Sequence, residues 1–393
     1  MGCSYVQLND VIKDIAAGPF GSNLKVSCFT STGFPVIDGA NLKGFKVSDN
    51  LTKFVTEDKA RSLSRSIAKR GDVVVTISGT LGQIAYVPED SAYKEYLCSQ
   101  RQFRVSFDTS RVYVPYLVFY FHTRQDQAQI LSFANQTGVP ALSQPTKNFR
   151  KLYIPLPSIQ RQRQIAHVIE TINSAIELND RTNDYLAELC ELIVSRSEAT
   201  DGALSDICTQ VTDKVSCTEA QIDSYVSTES LLADKNGRQL AASVPQTGKV
   251  VVYKAGDTLV SNIRPYFKKI WFAENDGTCS GDVVVFRANN PSLAPYLYAI
   301  LRSDKFFDYV MSGAKGTKMP RGDKKQMMSY GINPYCPERD LEIIAFAVYG
   351  IGASNQENQY LSSLRDSLLP KLMSGEIDTS KVELPTLPNN HLV

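Results

Sequence analysis

The chain has 393 residues, 43% hydrophobic and 21% charged, with a net charge of +1, an ordinary globular composition with room for two or three domains. The uncharged run 343–353 is too short to span a bilayer, no basic-then-apolar leader opens the sequence, and Met1-Gly2 with Val6 is not a myristoylation pattern. Eight scattered cysteines without a Cys-x-x-Cys pair, and only His122, His167 and His391, argue against a disulfide framework or structural metal and for reduced thiols in a cytoplasmic setting.

Residues 1–157 read as a mixed α and β domain. An amide-rich loop with a cation, Gly18-Pro19-Phe20-Gly21-Ser22-Asn23-Leu24-Lys25, comes early. Short β-rich runs at 72–78, 83–87 and 103–107 follow. Pro115 then opens a helix where a missing N–H is harmless. The domain closes on the strand Tyr153-Ile154-Pro155-Leu156-Pro157.

Residues 158–200 predict a central helix with heptad character. With Ile165 at position a, the a series is Ile165, Ile172, Asn179, Leu186 and Ile193, and the d series is Val168, Ala175, Thr182, Leu189 and Arg196. Ile169, Ile176 and Cys190 widen the stripe, and Asn179 and Thr182 form a polar interruption of the kind that fixes register.

Residues 201–337 predict a second mixed domain, with β-rich runs at 257–261, 269–273 and 282–287 and a helix opened by Pro295. Residues 338–380 predict a second long helix. Its stripe is Ile343, Ile344, Ala347, Ile351, Leu361, Leu364, Leu368 and Leu372, Ser354 and Asn358 are its polar interruption, and Gly350 and Gly352 predict a bend or break. Fraying is expected after Asp378, with a flexible tail over 381–393.

The two halves repeat each other. Ala68-Lys69-Arg70-Gly71-Asp72-Val73-Val74-Val75 returns as Tyr253-Lys254-Ala255-Gly256-Asp257-Thr258-Leu259-Val260, and Val114-Pro115-Tyr116-Leu117 as Ala294-Pro295-Tyr296-Leu297. Gly138-Val139-Pro140-Ala141-Leu142 has a looser echo in Gly316-Thr317-Lys318-Met319-Pro320. A period this long means two homologous domains rather than a solenoid. Two helices, each emerging from one copy, can bury their stripes against each other. The expected fold is therefore α+β, two homologous globular domains separated by two long antiparallel coiled-coil helices.

The net charge hides a pattern: residues 1–157 hold 18 Lys+Arg against 12 Asp+Glu, and residues 249–325 hold 13 against 7. Both helical segments are acidic, so the globular copies are the candidate polyanion surfaces. Loops at related places supply suitable chemistry. In the first copy these are Lys25, Thr80, Gln83, Gln100, Arg101 and Gln102; in the second, Asn262, Arg264, Tyr266, Lys268, Lys315, Lys318 and Arg321. Arg, Gln and Asn can bridge base edges, while Lys and backbone amides suit phosphates.

Catalytic signatures are missing. His167 reads as a helix-surface residue and His122 as a core-edge histidine. There is no phosphate-binding Gly-x-x-x-x-Gly-Lys-Ser/Thr loop, and Asn333-Pro334-Tyr335 lacks the second proline of a methyltransferase Asn-Pro-Pro-Tyr and reads as a turn.

The segment Leu368-Leu369-Pro370-Lys371-Leu372-Met373-Ser374-Gly375-Glu376 resembles the closing helix of the specificity (S) subunits of Type I restriction–modification enzymes. Gly18-Pro19-Phe20-Gly21-Ser22 is similar to a run near the start of their target-recognition domains. Ile154-Pro155-Leu156-Pro157 with Gln164-Ile165 is similar to the start of their first spacer helix. The second helix start, Cys336-Pro337-Glu338-Arg339, lacks the Gln-Ile pair.

The resemblance implies a non-catalytic DNA-recognition subunit in which each domain reads half of a bipartite double-stranded target. The helices would set the spacing and dock two methyltransferase subunits, with restriction/translocase subunits added outside; S-adenosylmethionine, Mg²⁺ and ATP would belong to those partners. Ile165, Ile172, Asn179, Leu186, Ile193, Ile344, Ile351, Leu361, Leu364 and Leu368 are the expected helix-pairing and docking residues. The alternatives are a specificity subunit of a related restriction system with another cleavage partner, a fused methyltransferase or nuclease, and a coiled-coil scaffold with two protein-binding heads.

Overall fold

A computed structural model of the chain describes residues 4–135, 140–196 and 202–381. Gly138 and Val139, the end of the 158–200 segment, all but the first residue of the 381–393 tail, Met1, Gly2, Cys3 and His391 lie outside the described residues. Packing divides the chain into two compact units, one holding residues up to Ser174 and from Leu361 onward, the other Ala175–Tyr360. Each unit thus takes one globular copy and part of each long helix, where the sequence suggested helices distinct from the domains.

In the first unit an antiparallel sheet runs in the order Ile12–Ala17, Gln102–Phe107, Val73–Thr76, Ile84–Tyr86. The valine run explains the strand at its centre. Val73 and Val75 enter a core with Phe103, Val105 and the buried helix Val114–Phe121, while Val74 enters a second core with Tyr96 and Cys98. A strand buried on both faces reads as continuous apolar sequence rather than as alternation. That second core is covered by the sheet Phe54–Val55, Phe34–Ile37, Glu95–Cys98, Ile67–Lys69, which has one parallel pair.

The second unit repeats the first sheet strand for strand: Cys208–Gln210, Val283–Ala288, Thr258–Ser261, Ile270–Phe272, all antiparallel. Each copy is also closed by a short pair next to a long helix, Tyr5–Gln7 with Tyr153–Pro155 and Gly202–Ala203 with Gly331–Ile332. The repeated Lys-x-Gly-Asp motif proves structural. Gly71 (φ +80°) and Gly256 (φ +87°) take the left-handed corner of a turn that glycine enters without strain. The following aspartate accepts the lysine N–H, at 2.9 Å for Asp72–Lys69 and 2.8 Å for Asp257–Lys254.

The first long helix spans Ile159–Arg196 and the second Glu338–Ser374. Ser158 caps the first, its hydroxyl accepting the Arg161 N–H at 3.3 Å. Just inside, Gln162 is fully buried: it accepts the Tyr113 N–H at 2.8 Å and donates to the carbonyls of Arg111 (2.8 Å) and Pro157 (2.9 Å).

Within each unit the two helices run antiparallel. In the first, Ile165, Ala166 and Ile169 share a core with Leu369, Leu372 and Met373, each fully buried aliphatic side chain contributing about 2 kcal/mol. Arg365 donates to Asn173 Oδ1 at 3.2 Å, and Arg161 pairs with Asp378 at 2.6 Å. In the second, Asn179 donates to Asn358 at 3.0 Å, Asn183 donates to Asn355 at 3.1 Å, and Asn358 donates to Asp180 at 2.8 Å.

These contacts correct four expectations. The second row of the first helix is Ile169, Ile176, Asn183 and Cys190, since Thr182 and Leu189 are exposed and Thr182 merely donates back to the Leu178 carbonyl. The polar partners on the second helix are accordingly Asn355 and Asn358, not Ser354 and Asn358. Gly350 and Gly352 do not break the helix; added methyl carbons there would lie 3.5 Å from Leu186 and 3.1 Å from the Glu274 carboxylate, so the glycines permit close approach. Finally, the helix stops at Ser374, ahead of 380, because Gly375 turns left-handed (φ +80°), yet the chain beyond stays packed, with Thr379 buried.

Candidate nucleic-acid interface

In the first copy, three loops and the strand Ala141–Leu142 are stitched together. Gln100 donates from Nε2 to the carbonyls of Gly21 (2.7 Å) and Leu24 (2.8 Å), pinning the loop that ends in exposed Lys25. Gly18 donates to the Gln102 carbonyl at 2.8 Å so closely that an added methyl carbon would lie 1.9 Å from the Ser99 oxygen. The Ser78 loop joins the same group, because Ile77 donates to the Arg101 carbonyl (2.6 Å), Leu142 to Ile77 (2.8 Å) and Gly79 to Pro140 (3.3 Å). An added methyl on Gly79 would sit 3.8 Å from an Arg101 guanidinium nitrogen. Lys25, Thr80 and Arg101 are all exposed on these segments.

The second copy builds the same frame with the same backbone bonds. Asn262 donates to the Asp282 carbonyl (2.8 Å), Gly322 to Asn262 (3.2 Å) and Arg264 to Pro320 (2.8 Å). Isolated bridges repeat as well, Ser78 with Ala141 and Ile263 with Arg321. Residue by residue, Arg101 therefore corresponds to Asp282, Ala141 to Arg321, and Gly79 to Arg264. Arg264 (φ +50°) and Lys268 (φ +49°) flank the turn Pro265–Phe267, on which Tyr266 and Phe267 are exposed and in ring contact at 4.6 Å. Lys315, Lys318 and Arg321 line a hairpin closed by the Lys315–Arg321 bridge.

The structure thus brings most of the candidates together within each copy, but four belong to the frame. Gln102 is 1% exposed, its amide taken by Ser99. Gln100 uses its donors on the Gly18–Lys25 loop, and half-buried Gln83 accepts from Thr76 at 3.1 Å. Asn262 is buried, and its Oδ1 has no partner among the described residues. The buried side chains of Gln102 and Asn262 cannot reach a base, which their polar names concealed. Lys268 is drawn sideways into an ion pair with Asp304 at 2.8 Å. Sequence reasoning missed Asp282, whose carboxylate lies 3.4 Å from Arg321; setting Arg101-Gln102-Phe103 against Asp282-Val283-Val284 would have exposed it.

Other chemistry is muted. Burial pushes the thiols of Cys98, Cys208 and Cys279 up to about 12, leaving them protonated. His122 is held below its ordinary pKa by burial and sits 2.8 Å from the Ile84 carbonyl, a core-edge role. His167 is not the surface residue expected, since its Nε2 is buried with no partner among the described residues. Asn333-Pro334-Tyr335 is a turn in which Asn333 Oδ1 accepts the Tyr335 N–H at 3.0 Å.

Residues 6–188 match the family model of the Type I restriction modification DNA specificity domain. That stretch belongs to the family. The Type I restriction enzyme EcoDI specificity subunit of Escherichia coli is 26% identical over 168 residues, 40% of this chain and 37% of the relative. The chain spans only 37% of that relative's length. Among solved structures, the S subunit of a Type I restriction–modification system from M. genitalium shares the fold, with a TM-score of 0.53, 16% identity and coverage of 95% of this chain and 96% of that one. The matched specificity domain contains the whole loop frame of the first copy and the first long helix as far as Glu188.

Among the described residues, no helix is long and apolar enough to cross a membrane.

Proposed function

We propose that this chain is the DNA-recognition subunit of a Type I restriction–modification complex, each copy reading one half of a split target. The observation that carries the reading is the specificity-domain match over the first copy, extended to the second by the duplicated sheet and loop frame. Lys25, Thr80 and Arg101 serve one half, and Arg264, Tyr266, Lys315 and Lys318 the other, with Arg321 held beside Asp282. Two linked readers bind a bipartite site with far less entropic penalty than two separate proteins. The helices fix the gap between half-sites.

Methyl transfer, translocation and cleavage belong in this reading to partner subunits, which hold the S-adenosylmethionine, Mg²⁺ and ATP; the complex works in the cytoplasm. Two methyltransferase subunits dock on the helices. Ile165, Ile172 and Ile344 of the expected docking set are buried and closed to a partner. Docking falls instead to the outer stripes, where Leu178, Tyr185 and Leu192 of the first helix and Phe346 and Tyr360 of the second stand exposed.

Single-molecule sequencing of adenine methylation in cells expressing the chain with a methyltransferase subunit tests the proposal. Two short fixed halves around a constant gap are expected. A soluble, active complex that methylates without such a motif would sink it.

A further inference from the structure

The duplicated frame allows the copies to be compared at single positions, and one position reverses charge. Arg101 and Asp282 both present their carbonyls to the loop N–H of the neighbouring strand end, Ile77 or Asn262. Their side chains therefore leave equivalent points of the two frames. Where the second copy has Arg321, 3.4 Å from Asp282, the equivalent position of the first copy is Ala141, which cannot make an ion pair. Both members of that pair are solvent-accessible, Asp282 at 37% and Arg321 at 51% of their side-chain surface.

A carboxylate on a face that approaches a polyanion is repelled by phosphates, so it weakens non-specific binding. In the major groove it gains from DNA by accepting a hydrogen bond from an exocyclic amino group, cytosine N4 or adenine N6. An arginine at the same point has the opposite alphabet and donates to guanine O6 and N7. Resting on the proposed function, we infer that this frame position is a specificity determinant. Arg101 reads a guanine in the first half-site; Asp282 reads an amino-bearing base, cytosine or adenine, in the second. Arg321 is a positioning residue that holds the Asp282 carboxylate and offsets its charge.

The test is selection of bound duplexes from a random-sequence pool by the full chain, followed by sequencing, with thermal melts confirming that each variant folds. Wild type yields a two-part motif. Asp282→Ala should make one position of the second half degenerate, lowering discrimination there by roughly 5- to 150-fold and leaving the first half intact. Arg321→Ala should degrade that same position and no other. The double change Asp282→Arg with Arg321→Ala copies the Arg101–Ala141 arrangement and should specify guanine there, while the identity of the wild-type base separates cytosine from adenine. An Asp282→Ala variant that binds all sequences more tightly with its motif unchanged would overturn the inference while leaving the recognition function standing. A folded wild-type chain that selects no motif overturns both.

Discussion

The two globular copies share a backbone and differ in what they hang on it. Their first sheets have the same strand order, and the second sheets share an antiparallel and a parallel pair around a central strand. The fourth strand attaches at opposite edges: Phe54–Val55 lies beside the parallel neighbour Phe34–Ile37, whereas Lys214–Ser216 lies beside the antiparallel neighbour Lys249–Tyr253. At the loop frame, Gln100 ties down the Gly18–Lys25 loop, and its counterpart Gly281 has no side chain to do so. Backbone hydrogen bonding preserves the platform, and side-chain divergence is free to change what each platform recognises.

The largest expected effect breaks the second copy where the first would barely respond. Asp257, with 2% of its side chain exposed, is held by Arg287 through two contacts of 2.8 and 2.6 Å, whereas the equivalent Asp72 is held by Ser106. Arg287→Ala leaves a buried carboxylate unpaired and should lower stability by about 3 kcal/mol. Ser106→Ala, which removes a neutral donor, should cost about 1 kcal/mol. Trp271 is the only tryptophan in the sequence and lies buried in the second unit, so its emission during denaturant unfolding reports the first change selectively. Equal losses of stability for the two variants, read by far-ultraviolet circular dichroism over both units, would refute the asymmetry.

A smaller effect sharpens the loop comparison. Gly18→Ala drives a methyl into the Ser99 carbonyl, 1.9 Å from the ideal position, and should destabilise the first frame by about 2 kcal/mol. Gly281→Ala meets nothing within 4 Å and should be neutral. Hydrogen exchange across residues 18–25 should rise only in the first variant.

Much of this architecture was legible because it rests on local repetition. The valine-rich strands, the Lys-x-Gly-Asp turns and the proline-opened helices have short-range causes, so the strands and long helices fall close to where periodicity puts them. The seam of the first helix was half legible. Ile165 and Ile172 mark one row, but the choice between Thr182 and Asn183 depends on which residue faces Asn355, a tertiary fact. The candidate site divides along the same line. Lys25, Arg101, Arg264, Lys318 and Arg321 are exposed, as charged loop residues tend to be. Gln102 and Asn262 sit where a strand runs into a loop, and their side-chain direction follows from pairing that no local pattern encodes.

The polar seam of the second unit offers a change of opposite sign. Asn183 donates to Asn355, but its own Oδ1 is buried without a partner among the described residues. Replacing both with leucine removes an incompletely satisfied amide pair and should raise stability by about 1 kcal/mol. A drop in melting temperature for the Asn183→Leu/Asn355→Leu chain would mean the amides contribute more than register.

The smallest expected effect separates the copies by pH. His122 ends the first copy's buried helix Val114–Phe121, and Arg302 holds the same place at the end of Ala294–Arg302 in the second. Burial depresses the His122 pKa below its ordinary 6.5. The folded state therefore binds the proton less readily than the unfolded chain, so stability is fully present above 6.5 and declines as pH falls through that value towards the folded pKa. Arg302 in that place is paired with Glu191 at 2.7 Å. Between about pH 7 and about pH 5, hydrogen exchange corrected for its intrinsic rate should quicken in Val114–Phe121 and hold steady in Ala294–Arg302. His122→Gln keeps a donor near the Ile84 carbonyl but cannot titrate, so it should erase the difference. If the first helix still loosens on acidification in that variant, the sensitivity lies with another group and the histidine is only packing.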